Sequence, residues 1–233
     1  MMKKQRGAAV LRQRELLNMK TITDKFVHLH NYNENNKVYL SGVVLTEPQY
    51  SHTAVEENFY KFWLQVLRLS EIADTLLVTI SERFFMNYKP QAGDRVIING
   101  QYRSYNNYSG AGSKLILTVF AKNIIKVDGN VKNPNKIYLN GYVCKPPVYR
   151  ITPFKREVAD ILLAVNRSYK KSDYIPCIAW GLNAKFAESL AVGTNICVWG
   201  RIQSRDYQKR IGEDKAETKT AYEVSISKIS VKE

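Results

Sequence analysis

The chain has 233 residues, 45% of them hydrophobic, and 35 Lys+Arg against 21 Asp+Glu for a net charge of +14. That apolar content excludes low-complexity disorder, and the length fits one large domain or two small ones. The longest purely apolar runs, such as 161–165, are too short to span a bilayer, and the charge predicts attraction to polyanions without saying which.

Residues 1–35 carry seven Lys/Arg against three Asp/Glu, a net +4. The apolar run 8–11 is too short for a signal peptide, so the protein is expected in the cytoplasm, with the nucleoid. The segment reads as an extended basic arm on nucleic acid or as a disordered leader, with room for a short helix over 8–17.

The strongest signal begins at residue 36. Asn-Lys-Val-Tyr-Leu-Ser-Gly-Val-Val at 36–44 recurs as Asn-Lys-Ile-Tyr-Leu-Asn-Gly-Tyr-Val at 135–143, an offset of 99. The same offset pairs Pro48 with Pro147, Arg68 with Arg167 and Asp74 with Asp173. An offset of 100 then pairs Gly100 with Gly200 and Ser104 with Ser204. Such register predicts two homologous domains, 36–127 and 135–233, joined by the polar linker 128–134.

Within each copy the apolar residues alternate, as in Val38/Leu40, Phe62/Leu64/Val66 and Val96/Ile98 and their second-copy partners. Period-two spacing predicts half-buried strands, and the glycines that follow suit bulges. One helical stretch per copy lies between the third and fourth strands, near 81–88 and over 183–190. In the second, Phe186, Ala187 and Leu190 share a face. Five strands with a helix after the third predict an all-β chain of two tandem OB-fold barrels.

Cys144, Cys177 and Cys197 are odd in number and far apart, as expected of small core residues rather than of disulfides or a zinc site. His28, His30 and His52 have no suitably spaced acidic or cysteine companions, and no phosphate loop or nucleophile elbow is present. No metal, no cofactor and no catalysis are expected.

The charge is uneven. Residues 36–127 hold 10 Lys/Arg and 7 Asp/Glu, whereas 135–233 hold 17 and 10. The excess clusters at Arg167, Lys170 and Lys171 and at Arg201, Arg205, Lys209 and Arg210, interleaved with Tyr169, Tyr174, Trp180 and Tyr207. Aromatic rings stack on unpaired bases and cations neutralise phosphates, so this pattern points to single-stranded nucleic acid. A single tyrosine in such a place is as readily a packing residue. No helix-turn-helix for duplex reading is visible.

Three stretches of the second copy, 152–167, 172–181 and 200–207, resemble bacterial single-stranded DNA-binding proteins, and the resemblance covers 135–227. It is similar in particular to the tandem form of some Gram-positive bacteria, and more distantly to primosomal replication protein N. The resemblance implies a non-enzymatic binder of single-stranded DNA in replication, recombination or repair. Tyr169, Tyr174, Trp180 and Tyr207 match the family's four stacking positions. Four OB folds per assembly imply a homodimer.

The repeat places Ser70, Thr75, Ser81 and Asn107 opposite those four rings, so the first copy is expected to be a weaker or differently shaped binder, or mainly a scaffold. Its hairpin offers Tyr102, Arg103, Tyr105 and Tyr108 as another site. Replication-type members end in an acidic recruiting tail, whereas this chain ends in Ser-Lys-Ile-Ser-Val-Lys-Glu. The alternative is an OB-fold interaction module in primosome or helicase-loader assembly, with replication proteins as partners.

Overall fold

The computed structural model describes residues 35–68, 70–107, 114–168, 170–210 and 216–232. The basic leader, Tyr108, the turn 109–112 and Tyr169 lie outside the described residues, as do the side chains of Lys209 and Arg210. Among the described residues no helix is long and apolar enough to cross a membrane.

Twelve strands form one continuous sheet. The first copy contributes β1 (Asn36–Val44), β2 (Gln49–Ala54), β3 (Glu57–Leu67), β4 (Ala73–Ser81), β5 (Arg95–Asn107) and β6 (Lys114–Lys126). The second contributes β7 (Asn135–Val143), β8 (Val148–Ile151), β9 (Glu157–Asn166), β10 (Ser172–Trp180), β11 (Asn195–Arg210) and β12 (Ala216–Val231). The sheet closes on itself twice. The β1–β3 pairing and the short parallel β4–β6 pairing close the first barrel, and β7–β9 with β10–β12 close the second. Each barrel has the five predicted strands. The sixth, β2 or β8, is an edge strand paired only to β3 or β9. Its six or four mostly exposed residues carry no alternation from which a strand could be read.

The alternating residues turn inward as their period requires. Val38, Leu40, Phe62, Leu64, Val66, Val96 and Ile98 are buried, as are Ile137, Leu139, Ile161, Leu163, Val165, Ile196 and Val198. Gly100 and Gly200 sit where the ladders of β5–β6 and β11–β12 shift register. A Cβ at either would meet the backbone oxygen of Phe120 or Ser225 at 2.2 Å, so only glycine lets the strands approach at the bulge.

The helical stretches differ from expectation. In the first barrel only a 3-10 helix forms, Glu82–Met86. Ser81 caps it by accepting from the Arg83 N–H at 3.2 Å. In the second, α1 (Leu182–Glu188) is a true α-helix, but Ala184 and Ala187 face the core and Phe186 is exposed. Of the three cysteines, Cys177 and Cys197 are buried and Cys144 is half-buried, all as free thiols. Burial pushes the Cys177 thiol well up.

The two barrels are fused rather than tethered. β1 and β7 pair antiparallel from Asn36↔Leu139 to Leu40↔Asn135. Two further bonds extend the ladder symmetrically, from Ser41 N–H to Pro134 O and from Asn140 N–H to Asn35 O, both 2.7 Å. Residues 35–233 are therefore one compact unit. Residues 128–134, read from sequence as a linker, return the chain directly into this shared ladder.

Asp94 pins the end of the first barrel. It accepts from the Tyr88 hydroxyl at 2.6 Å and pairs with Lys126 at 2.5 Å. The Lys126 and Tyr88 hydrogen bonds hold its carboxyl down at about 2. A depressed folded value means that the contribution to stability is present above the ordinary carboxylate range and is lost as pH falls through about 2. Asp94→Asn is expected to flatten the acid limb of a pH–stability curve from about pH 4 downward, measured by urea denaturation.

Candidate nucleic-acid interface

The outer face of the second barrel gathers the exposed rings. On β10 the odd residues Ile175, Cys177 and Ala179 enter the core, so the even residues face outward. Tyr174 and Trp180 thus stand on one face of one strand, about 20 Å apart. They are 47% and 38% exposed, so each offers part of its surface to solvent. On β9 Leu162 pairs with Pro176, Asp160 with Ile178 and the buried Val158 with Trp180, so the surface between the rings is mixed, with Asp160 bound to Arg150 at 2.6 Å.

Tyr207 lies elsewhere on the same barrel. β11 and β12 run on past the barrel as a two-stranded arm in which residues 205–208 are all exposed. Tyr207 is paired across the arm with Lys219 and is 39% exposed.

The cations divide into two groups. Lys170 and Lys171 are exposed in the turn before β10, with Lys170 in the left-handed region at φ 55°. Arg201 and Arg205 are exposed on β11. Arg201 donates to Gln203 at 3.2 Å, and Arg205 lies 3.8 Å from Glu223. The hairpin cations therefore sit beside the arm that carries Tyr207.

Arg167 and Arg103 belong to the second group and take a different place. Arg167 is 3.2 Å from the buried carboxylate of Asp173. Arg103, from the first barrel, lies flat over the Phe120 ring at 3.6 Å. Burial and then the charge of Arg167 lower its pKa, while Asp173 opposes them. Both arginines converge on Asp173 at the junction of the barrels instead of standing free on the outer face.

That junction is built from the repeated polar residues. Asp173 accepts from the Ser104 N–H at 2.6 Å, and the Ser104 hydroxyl accepts from the Tyr174 N–H at 2.7 Å. Across the pseudo-twofold, Asp74 accepts from the Ser204 N–H at 2.7 Å and from both arms of Arg68 at 2.6 and 2.8 Å. The sequence repeat shows these residues but not their purpose. Each copy's Arg–Asp pair receives the other copy's serine.

On the first barrel the outer face is differently furnished. Thr75 and Ser81 occupy the positions of Tyr174 and Trp180, and Ser81 is buried by its capping role and by its bond to Glu57. Tyr102 is buried at 2% exposure and takes no part in the surface. Tyr105 is exposed and accepts from Lys61 Nζ at 2.7 Å. Sequence reasoning missed Trp63 and Phe120, outward on β3 and β6, and the buried Phe59 against which Phe120 packs. The only signal was their strand register, opposite to the core set. Among the described residues no cluster of His, Cys, Asp or Glu could hold a metal.

Two fused five-stranded barrels, the second carrying exposed rings and cations on β10, on β11 and in the turn before β10, define an OB-fold nucleic-acid-binding class. The model of the single-strand binding protein family matches residues 134–231. Single-stranded DNA-binding protein B of Bacillus subtilis is 38% identical over 88 residues, 34% of this chain and 75% of that protein. The chain belongs to the single-strand binding protein family. Single-stranded DNA-binding protein A of the same organism is 35% identical over 86 residues, 34% of this chain and 50% of the relative. The chain thus spans only about half the length of several of the curated relatives it matches. The wild-type single-stranded DNA-binding protein of Thermus aquaticus shares the fold, with a TM-score of 0.66 at 20% identity over 85% of this chain and 93% of that one.

Proposed function

We propose that the protein binds single-stranded DNA without catalysis, mainly through the outer face of the second barrel, in the cytoplasm during replication, recombination or repair. The observation that carries this reading is the pair Tyr174 and Trp180, both half-exposed on one face of β10, with Lys170 and Lys171 in the turn before that strand and Arg201 and Arg205 exposed on β11 beside Tyr207. Unpaired bases stack on the rings, each contributing about 1–3 kcal/mol, while the cations follow the phosphates. Tyr207 extends the track along the β11–β12 arm, and Tyr169, which precedes Lys170 and Lys171 in the sequence, is a further candidate ring. The names of the Bacillus relatives support the same ligand. Two chains would supply four barrels as a homodimer, which sedimentation analysis tests directly.

A fluorescence titration with poly-dT is the deciding measurement. Tryptophan emission should be quenched as Trp180 stacks. Each neutralised phosphate adds about −0.7 to the slope of log Kobs against log salt, so affinity should fall steeply between two salt concentrations. A flat salt response would remove the basic clusters from the site.

A further inference from the structure

A cleft of about 460 Å³ opens on one side of the junction between the barrels. Leu45, Trp63 and Thr75 line it from the first barrel, and Asp206, Thr220 and Tyr222 from the second. The pseudo-twofold gives each of these positions a counterpart across the junction. Thr75 corresponds to Tyr174 and Trp63 to Leu162 at the offset of 99. Ser204 pairs with Tyr222 as Ser104 pairs with Leu117, so Tyr222 corresponds to Leu117.

The two sides have therefore exchanged their rings. On one side Tyr174 stands among aliphatic neighbours. On the other, Thr75 leaves the space of that ring unfilled, and the aromatic bulk has moved to the walls as Trp63 and Tyr222. Trp63 is 36% exposed, so its indole face reaches solvent at the cleft.

The lining specifies an occupant. Trp63 and Tyr222, one from each barrel, offer rings to a flat apolar group, and Thr75 and Thr220 offer hydroxyls. Among the described residues Asp206 is the one charged residue lining the cleft, and its Oδ1 accepts from the Thr220 hydroxyl at 2.7 Å. A carboxylate there repels phosphate and accepts N–H donors. A nucleobase with adjacent ring and amino N–H groups satisfies both demands, and its phosphate can remain outside near the exposed Arg205.

We infer that this cleft is a separate nucleobase site, with Trp63 as the stacking surface and Asp206 as the acceptor that favours guanine over thymine. The inference rests on the single-strand reading above and adds to it a site on the first barrel, at positions other than the four that the family resemblance supplies.

The test uses the full chain carrying Trp180→Phe and Trp199→Phe, which leaves Trp63 as the sole tryptophan. Labelled oligo-dT and the same oligomer with scattered dG are titrated, with anisotropy reporting total binding and Trp63 emission reporting the cleft. Emission should be quenched in step with anisotropy, more strongly by the dG oligomer. Thr75→Tyr should abolish that quench while binding through the second barrel persists. In the otherwise native chain, Trp63→Leu should weaken binding of the dG oligomer about tenfold. Asp206→Asn should erase the dG preference. Binding by anisotropy with Trp63 emission unmoved, or a Trp63→Leu affinity within about twofold of the parent, overturns the cleft site and leaves the single-strand reading intact. Absence of any binding by anisotropy overturns both.

Discussion

Replacing Tyr174, Trp180 and Tyr207 together with alanine is expected to weaken oligo-dT binding about a thousandfold or more. Each ring contributes about 1–3 kcal/mol when a base stacks on it, and a tenfold change in affinity corresponds to about 1.4 kcal/mol. All three rings are partly exposed and two of them share a strand face, so their removal leaves the core untouched. The parallel set Thr75→Ala, Ser81→Ala and Asn107→Ala is expected to leave oligo-dT affinity within about threefold of the parent, since no base stacks on those side chains. Fluorescence anisotropy on both variants decides the matter. Equal losses from the two sets would abolish the asymmetry between the barrels. Thr75 also borders the Trp63 cleft, but Thr75→Ala removes a hydroxyl and no ring, and Trp63 is intact in both sets.

Asp74→Asn is expected to destabilise the fused barrels by about 3–5 kcal/mol, and Asp173→Asn by less than that. Asp74 is buried and grips both arms of Arg68 together with the N–H and the hydroxyl of Ser204. Removing its charge leaves Arg68, only 20% exposed, without its counter-ion. Asp173 sits in the equivalent place, but Arg167 meets it through one ion pair at 3.2 Å and its main bond is to the Ser104 N–H. An asparagine oxygen can still accept that bond. Burial raises the carboxyl of Asp173 above its ordinary range, partly offset by the Ser104 N–H and the two arginines. A raised folded value means that the contribution to stability is full below the ordinary carboxylate range and is lost as pH rises through the raised value. Stability of Asp173→Asn relative to the parent should therefore improve from acid to neutral pH. Urea denaturation of both variants across that range checks the sign and the ranking.

The repeat register made the architecture legible. Period-two apolar spacing at 38–40, 62–66 and 96–98, and again in the second copy, requires one face of each strand to be buried, and an OB barrel follows from their order. The edge strands β2 and β8 escaped that reasoning, because their residues are mostly exposed and pair only with one neighbour. The helix over 183–190 was legible as a helix but not in its facing. Ala184, which carries little hydrophobic signal, is buried, and Phe186 is not. Packing space at the barrel end decided this, and propensity did not.

The exposure of the candidate site residues was legible where it follows from strand register. Tyr174, Trp180, Tyr207, Lys170, Lys171, Arg201 and Arg205 are all exposed on the second barrel. Arg103 and Arg167 show the limit. Both are cations beside aromatics in the sequence, yet in the fold they face Asp173 at the junction.

By itself the sequence determined the number of barrels, their core faces and the concentration of charge and rings in the second copy. These depend on local alternation and on repetition, which need no knowledge of distant neighbours. Only the tertiary structure decided that the barrels share one sheet and that each Arg–Asp pair holds the other copy's serine. It alone decided that a cleft opens beside Trp63. Those features come from residues about 65 to 160 positions apart brought together by the β1–β7 ladder, and nothing in local sequence encodes which strands become neighbours.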